Sequence, residues 1–105
     1  MAPYYSLEKI KELALFAGDT LLVTRRARIE AFNEFGFSIE DICEEIQLLQ
    51  PTDFHQSAIS HKNDLPLDSY RKLVLSQVTG KHHLTYIKFQ ILQDLIVVSF
   101  HTSDY

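Results

Sequence analysis

Two strand-like runs, Leu84 to Leu92 and Leu95 to His101, have only Gln93 and Asp94 between them. Runs joined so closely fold back as an antiparallel hairpin, and no other stretch constrains the fold as tightly. Read with period two, Thr85, Ile87, Phe89 and Ile91 share one face of the first strand, and Tyr86, Lys88 and Gln90 the other. In the second strand Ile96, Val98 and Phe100 alternate with Leu95, Val97, Ser99 and His101. A two-residue turn predicts that Ile87 faces Phe100 and Phe89 faces Val98 on the apolar side. The same register sets Lys88 opposite Ser99 and Tyr86 opposite His101 on the polar side. Directly opposed side chains hold their Cβ atoms about 4.5–5.5 Å apart. A phenol, an imidazole and an ammonium therefore meet on one patch with an oily backing, and that patch is the candidate site.

The N-terminal half reads as helices. Ser6 is the N-cap of a first helix in which Leu7, Ile10, Leu13, Ala14 and Ala17 recur at helical spacing, with Gly18 as its C′ residue. Leu21, Leu22 and Val23 form an apolar link to a second helix running from Thr24 as N-cap to Gly36, its core side carrying Ala27, Phe32 and Phe35 with Ile29 flanking. Arg25, Arg26 and Arg28 crowd its first turns, where they oppose the helix dipole. They suit either a solvated face or a phosphate or partner contact. Ser38 caps a third helix, with Asp41 completing a capping-box variant, and Ile39, Ile42, Cys43, Ile46 and Leu49 form the cleanest helical stripe in the chain. Cys43 falls inside that stripe, as a buried small hydrophobe rather than a nucleophile. Gln50-Pro51 stops the helix, and Thr52-Asp53-Phe54 makes a short capped turn into the sheet.

Two more strands are expected, Gln56 to His61 and Tyr70 to Val78, the latter with Leu73 and Leu75 on one side. A Lys62 to Asp68 loop separates them, and Thr79 to Lys81 turns the chain into the closing hairpin. Helices first and an antiparallel meander last is an α+β layout: one domain, helices on one sheet face, the other face partly open.

Composition removes several function classes. The chain has 105 residues, a globular hydrophobic share of 46% and a net charge of −4, which weakly opposes a nucleic-acid partner. The charge is uneven, with an acidic first half and a slightly basic second half that also holds His61, His82, His83 and His101. The longest aliphatic run, Leu95 to Val98, is too short to span a bilayer, and no signal peptide is evident, so a cytoplasmic protein is expected. The single cysteine excludes an internal disulfide and a cysteine-based zinc site. There is no phosphate-cradling glycine loop, GxSxG, HExxH or CxxC. Adjacent His82 and His83 point to opposite faces of a strand, so no metal site and no cofactor are expected.

What remains is metal-free acid–base chemistry. RNA cleavage by 2′-hydroxyl attack on the adjacent phosphate needs a proton acceptor, stabilisation of the phosphoryl charge and a donor for the leaving 5′-oxygen. Histidine, lysine, arginine, tyrosine and glutamine on an open sheet supply all three. An imidazole has one nitrogen that can accept a proton and one that can give it, which lets His101 act as acid or base.

Thr24-Arg25 with Ala27, the Asp53-Phe54 turn followed by Ser57, Tyr70-Arg71, and above all Tyr86-x-Lys88 leading to Asp94-Leu95-Ile96-Val97-Val98-Ser99-Phe100 resemble the MqsR family of bacterial toxins. The likeness runs from about Ser6 to His101. It implies a RelE-like α+β fold, a metal-independent mRNA interferase activity and a complex with a cognate antitoxin encoded beside it. The family's strand tyrosine falls on Tyr86. Its lysine after the Asp-Phe turn falls on Gln56 and its C-terminal lysine on His101, while its glutamine lands near Leu67 or Asp68 without a secure counterpart.

The resulting assignment is an endoribonuclease toxin acting on mRNA. Tyr86 and His101 handle protons and orientation, Gln56 and Lys88 bind phosphate, and Arg71, His61 and Lys62 contact substrate. The two lost lysines and the net acidity support a second reading, a catalytically weak or inactive toxin fold that works through its antitoxin complex. A third is a structural partner using its acidic helical face.

Overall fold

The computed structural model of the chain describes residues 2–16 and 18–102. Helices come first and strands last, in an α+β fold with a mixed sheet. The order is α1 (Leu7–Leu13), β1 (Leu21–Val23), α2 (Arg25–Phe35), α3 (Ile39–Gln47), a 3-10 turn at Pro51–Asp53, then β2 (Phe54–Ile59), β3 (Pro66–Leu75), β4 (His82–Ile91) and β5 (Leu95–Thr102). The strands lie side by side as β1-β5-β4-β3-β2. Four are antiparallel as expected. The fifth corrects the expectation of a purely antiparallel sheet: the apolar link Leu21–Val23 is itself a strand, parallel to Leu95–Val97.

Local chemistry sets the helix ends. Ser6 Oγ accepts from the Lys9 amide at the start of α1. That helix stops after Leu13, earlier than the apolar spacing predicts, because Thr20 Oγ1 donates to the Leu13 carbonyl at 2.7 Å and turns the chain. Gly18, at φ 80°, therefore serves the following turn and not the cap, while Ala17 lies outside the described residues. Thr24 and Ser38 cap α2 and α3 as the sequence indicates, the latter with a full capping box to Asp41. Gly36 closes α2 at φ 72°, a conformation a β-carbon would strain.

The core lies between the helices and one sheet face. Ile10, Ala27, Ala31, Phe35, Ile42, Ile46 and Leu49 meet Tyr70, Val74, Ile87, Phe89, Leu95, Val97 and Phe100 there. The α2 stripe is Ala27-Ala31-Phe35, not the expected set with Phe32 and Ile29, which are 67% and 48% exposed. An i, i+4, i+8 row of two alanines and a phenylalanine lets the helix lie close to β5, and Phe35 packs edge-on to Phe100 at 5.2 Å. Cys43 is buried as expected; burial, with Glu40 and Glu44 nearby, pushes its thiol above the ordinary range. Leu73 and Leu75 do share one side of β3, but it is the open side, and both are exposed.

Two polar devices hold the layers together. Asp68, fully buried, accepts from the Tyr4 and Tyr5 amides and straps the N-terminal segment across β3. Lys72 reaches Glu45 of α3 at 2.9 Å. Burial and the Asp68 charge push the neighbouring Tyr70 phenol up to about 12.

The β4–β5 hairpin departs from the two-residue turn. Ile91 pairs with Leu95, so Leu92–Asp94 forms a three-residue loop. Between Lys88–Ser99 and Phe89–Val97 the register slips by one and leaves Val98 as a bulge. Phe89 thus faces Val97, not Val98, and Leu95 and Val97 rather than Ile96 and Val98 enter the core. Beyond the bulge Ile87–Phe100, Lys88–Ser99 and Tyr86–His101 pair as predicted. The corrected packing is tested by two alanine substitutions. Phe100→Ala should cost about 3–5 kcal/mol in denaturant unfolding, and Phe32→Ala at most about 0.5 kcal/mol. Comparable losses would contradict this core.

Candidate active site

On the sheet face away from the helices, backbone pairing aligns two polar rows. Gln56, Ser69, Lys88 and Ser99 form one, because Gln56 pairs with Ser69, Ser69 with Lys88, and Lys88 with Ser99. Arg71, Tyr86 and His101 form the next, by the Arg71–Tyr86 and Tyr86–His101 pairs. An irregularity between Phe54 and Gln56 leaves His55 outside the pairing and brings its ring 5.5 Å from that of Tyr86. The His101 ring lies 5.7 Å from Tyr86, and the Arg71 guanidinium carbon 6.0 Å from the centre of the phenol ring. Tyr86 is thus flanked by two imidazoles and a guanidinium.

His55, Gln56, Ser69, Tyr86, Lys88 and His101 line one cleft of about 200 Å³. The residues assigned from sequence to proton handling and phosphate binding, Tyr86, His101, Gln56 and Lys88, therefore come together. Arg71 reaches the cleft only through the Tyr86 ring. His61 and Lys62 line a neighbouring groove beyond Lys88 instead. Sequence reasoning misses His55 as a site residue, because it starts the strand at Gln56, whereas the strand begins at Phe54 and both His55 and Gln56 reach the cleft. A β-bulge next to the Asp53-Phe54 turn is the feature that turns it inward.

His101 has a defined tautomer in its neutral form. Its Nδ1 lies 2.8 Å from the Thr102 carbonyl, which can only accept, so Nδ1 carries the proton and Nε2 keeps its lone pair. The strand bearing it is fixed from its free edge. Glu30 of α2 accepts from Ser99 Oγ and the Phe100 amide, and Glu34 from the Thr102 amide at 2.7 Å. These carboxylates satisfy edge amides that β1 is too short to reach, by charge-assisted hydrogen bonds. Cys43, by contrast, is on the helical side of the sheet and takes no part.

The loop carrying His61 and Lys62 is also held. Gln90 and Asn63 exchange two side-chain hydrogen bonds of 3.0 Å, and the Gln90 amide donates to the Leu65 carbonyl. Asp64 adopts φ 58° within a turn closed by its amide on the Ser60 carbonyl. Gln90, expected simply on the polar face, is 5% exposed because this loop covers it. Among the described residues no three or more His, Cys, Asp or Glu side chains gather as a metal would require, and no helix is long and apolar enough to cross a membrane.

The fold and cleft together define a class: a small α+β protein with acid–base side chains on an open sheet face. Residues 2–102 match the family model described as motility quorum-sensing regulator, toxin of MqsA, and the chain belongs to this MqsR toxin family. It is a toxin of a toxin–antitoxin system, and the family description names MqsA as the antitoxin. No curated protein matches the chain.

The role given to Gln90 has a direct check. Gln90→Ala leaves the Asn63 amide without its partner, so hydrogen exchange at Lys62, Asp64 and Leu65 should quicken about tenfold or more, while Ile87 and Phe100 stay protected. Unchanged exchange in the loop would show that it is held by other means.

Proposed function

We propose that this protein is an mRNA interferase, a metal-independent endoribonuclease of a type II toxin–antitoxin system that inhibits translation by cutting mRNA. The observation that carries the reading is a tyrosine between two imidazoles, with an ammonium and a carboxamide in the same cleft, in a chain of the MqsR toxin family. The side chains present supply each element of the chemistry.

The 2′-oxygen attacks the adjacent phosphorus while His101 Nε2 accepts the 2′-hydroxyl proton. The bond from phosphorus to the 5′-oxygen breaks, giving a 2′,3′-cyclic phosphate and a 5′-hydroxyl. The leaving oxygen takes its proton from His55 in the imidazolium form. Tyr86 donates a hydrogen bond to a non-bridging oxygen from between the two rings. Lys88 and the Gln56 amide stabilise the charge that grows on the phosphoryl group, and Arg71 adds cationic charge from behind the phenol. Gln56 hydrogen-bonds but carries no charge where the resemblance implies a lysine, so Lys88 bears more of the electrostatic load.

The second reading, a weakly active or inactive toxin fold acting through its antitoxin, rests on the replacement of two implied lysines by Gln56 and His101. Expression in the absence of antitoxin separates the two, since only the nuclease arrests growth. In either reading the protein forms a hetero-oligomer with the antitoxin.

The test is cleavage of a long RNA in excess chelator with mapping of the new ends. We expect 5′-hydroxyl ends and a loss of about 10²–10⁴-fold in Tyr86→Phe/His101→Ala. Unchanged cleavage by the double variant would remove the site assignment, and no cleavage by the intact protein would remove the nuclease reading.

A further inference from the structure

We propose that the groove lined by Arg25, Lys62 and Lys88 is a second subsite, holding the sugar–phosphate backbone of single-stranded RNA beside the bond to be cut. This rests on the endoribonuclease reading and adds where the rest of the substrate lies. The groove, of about 560 Å³, adjoins the cleft and shares Lys88 with it. That volume falls within the roughly 300–1,000 Å³ typical of ligand pockets.

Its charge is the main argument. Acids outnumber bases 14 to 10 in the chain, yet Arg25, Arg26, His61, Lys62 and Lys88 line this groove and no carboxylate does. Arg26 leans towards Glu30 at 3.4 Å, but Arg25, Lys62 and Lys88 make no ion pair among the described residues. Positive charge focused in a concave surface of an acidic protein attracts a polyanion while the remaining surface repels it, which steers the polyanion to this face. Lys88 lines both the groove and the cleft, so the positive charge is continuous with the scissile position.

The walls match the same ligand. Ala58, Leu67 and Val98 offer apolar surface, and no aromatic ring other than the His61 imidazole lines the groove. Such a surface supports bases without reading their edges, so the subsite follows the backbone and adds affinity more than sequence preference. Both sides are anchored before any ligand arrives. The Lys62 side is fixed by the Gln90–Asn63 pair, and the Arg25 side by Thr24, whose hydroxyl caps α2 and donates to the Val98 carbonyl.

The experiment measures binding of a fluorescent single-stranded RNA, 2′-O-methylated throughout so that it cannot be cut, across a series of salt concentrations. Arg25→Gln/Lys62→Gln should weaken binding roughly tenfold at low salt and flatten the dependence of log affinity on log salt by about 0.7 for each phosphate no longer neutralised. Arg28→Gln, an exposed arginine on the same helix but outside the groove, should leave that slope unchanged. Arg25→Lys/Lys62→Arg should keep the native slope. If the unaltered protein binds and the double glutamine variant keeps its affinity and slope, the groove assignment is overturned while the nuclease reading stands. If the slope falls as expected but the intact protein cuts no RNA, the groove is an RNA-binding surface and the nuclease reading fails. If the intact protein does not bind this RNA, the groove assignment is overturned outright.

Discussion

The bulge at Val98, pinned by Thr24, is the constraint on which the rest of this structure depends. The Thr24 amide donates to the Val97 carbonyl and its hydroxyl to the Val98 carbonyl, while the same hydroxyl accepts from Ala27 and starts α2. One side chain thus closes the irregular part of β5 and launches the helix that packs along it. The bulge shifts the phase of the strand: Leu95 and Val97 face the core on one side of it, and Phe100 does so on the other. A strand without it would have to expose one of these sets, since alternation is strict in a regular ladder.

From that phase the site follows. With Phe100 turned inward against Phe35 and Phe37, His101 must turn outward, onto the face where Tyr86 already lies. Glu30 and Glu34 then hold the same stretch of β5 from the side, so that His101, the proposed proton acceptor, sits on a braced strand rather than a loose edge. Placing reactive groups on rigid elements limits the reorganisation needed when charge develops. The opposite wall comes from the second irregularity, at His55, and the two departures from regular pairing lie on either side of Tyr86.

The sequence carried the three helix N-caps, the closure of α2 at Gly36, the α3 stripe and the pairing of Tyr86 with His101, because each is set by short-range chemistry or by local periodicity. That last pairing has an instructive origin. A two-residue turn predicts it, yet the turn has three residues; the bulge at Val98 then restores the register, and the two departures cancel. Where they do not cancel, between Phe89 and Leu95, strict alternation turns Ile96 and Val98 to the wrong face. The strand at Leu21–Val23 is hidden for a different reason: a three-residue parallel edge has no periodicity of its own and exists only where β5 is available to it. Phe32 looks like core because it is large and apolar, but the tight approach of α2 selects Ala27 and Ala31 over bulk. His55 and the cations at Arg25 and Lys62 converge only in three dimensions, so no spacing rule could group them with Tyr86 and Lys88.

The central claim is that this phased sheet face, and not the acidic helical side, receives RNA with its scissile phosphate over Tyr86. A crystal structure with a single-stranded RNA, 2′-O-methylated at the position to be cut, measures this most directly. The account predicts a phosphate hydrogen-bonded to the Tyr86 hydroxyl, with the modified 2′-oxygen beside His101 Nε2 and the His55 ring on the side of the 5′-oxygen. RNA seated elsewhere on the molecule, or a phosphate held with Tyr86 and His101 out of reach, would contradict it.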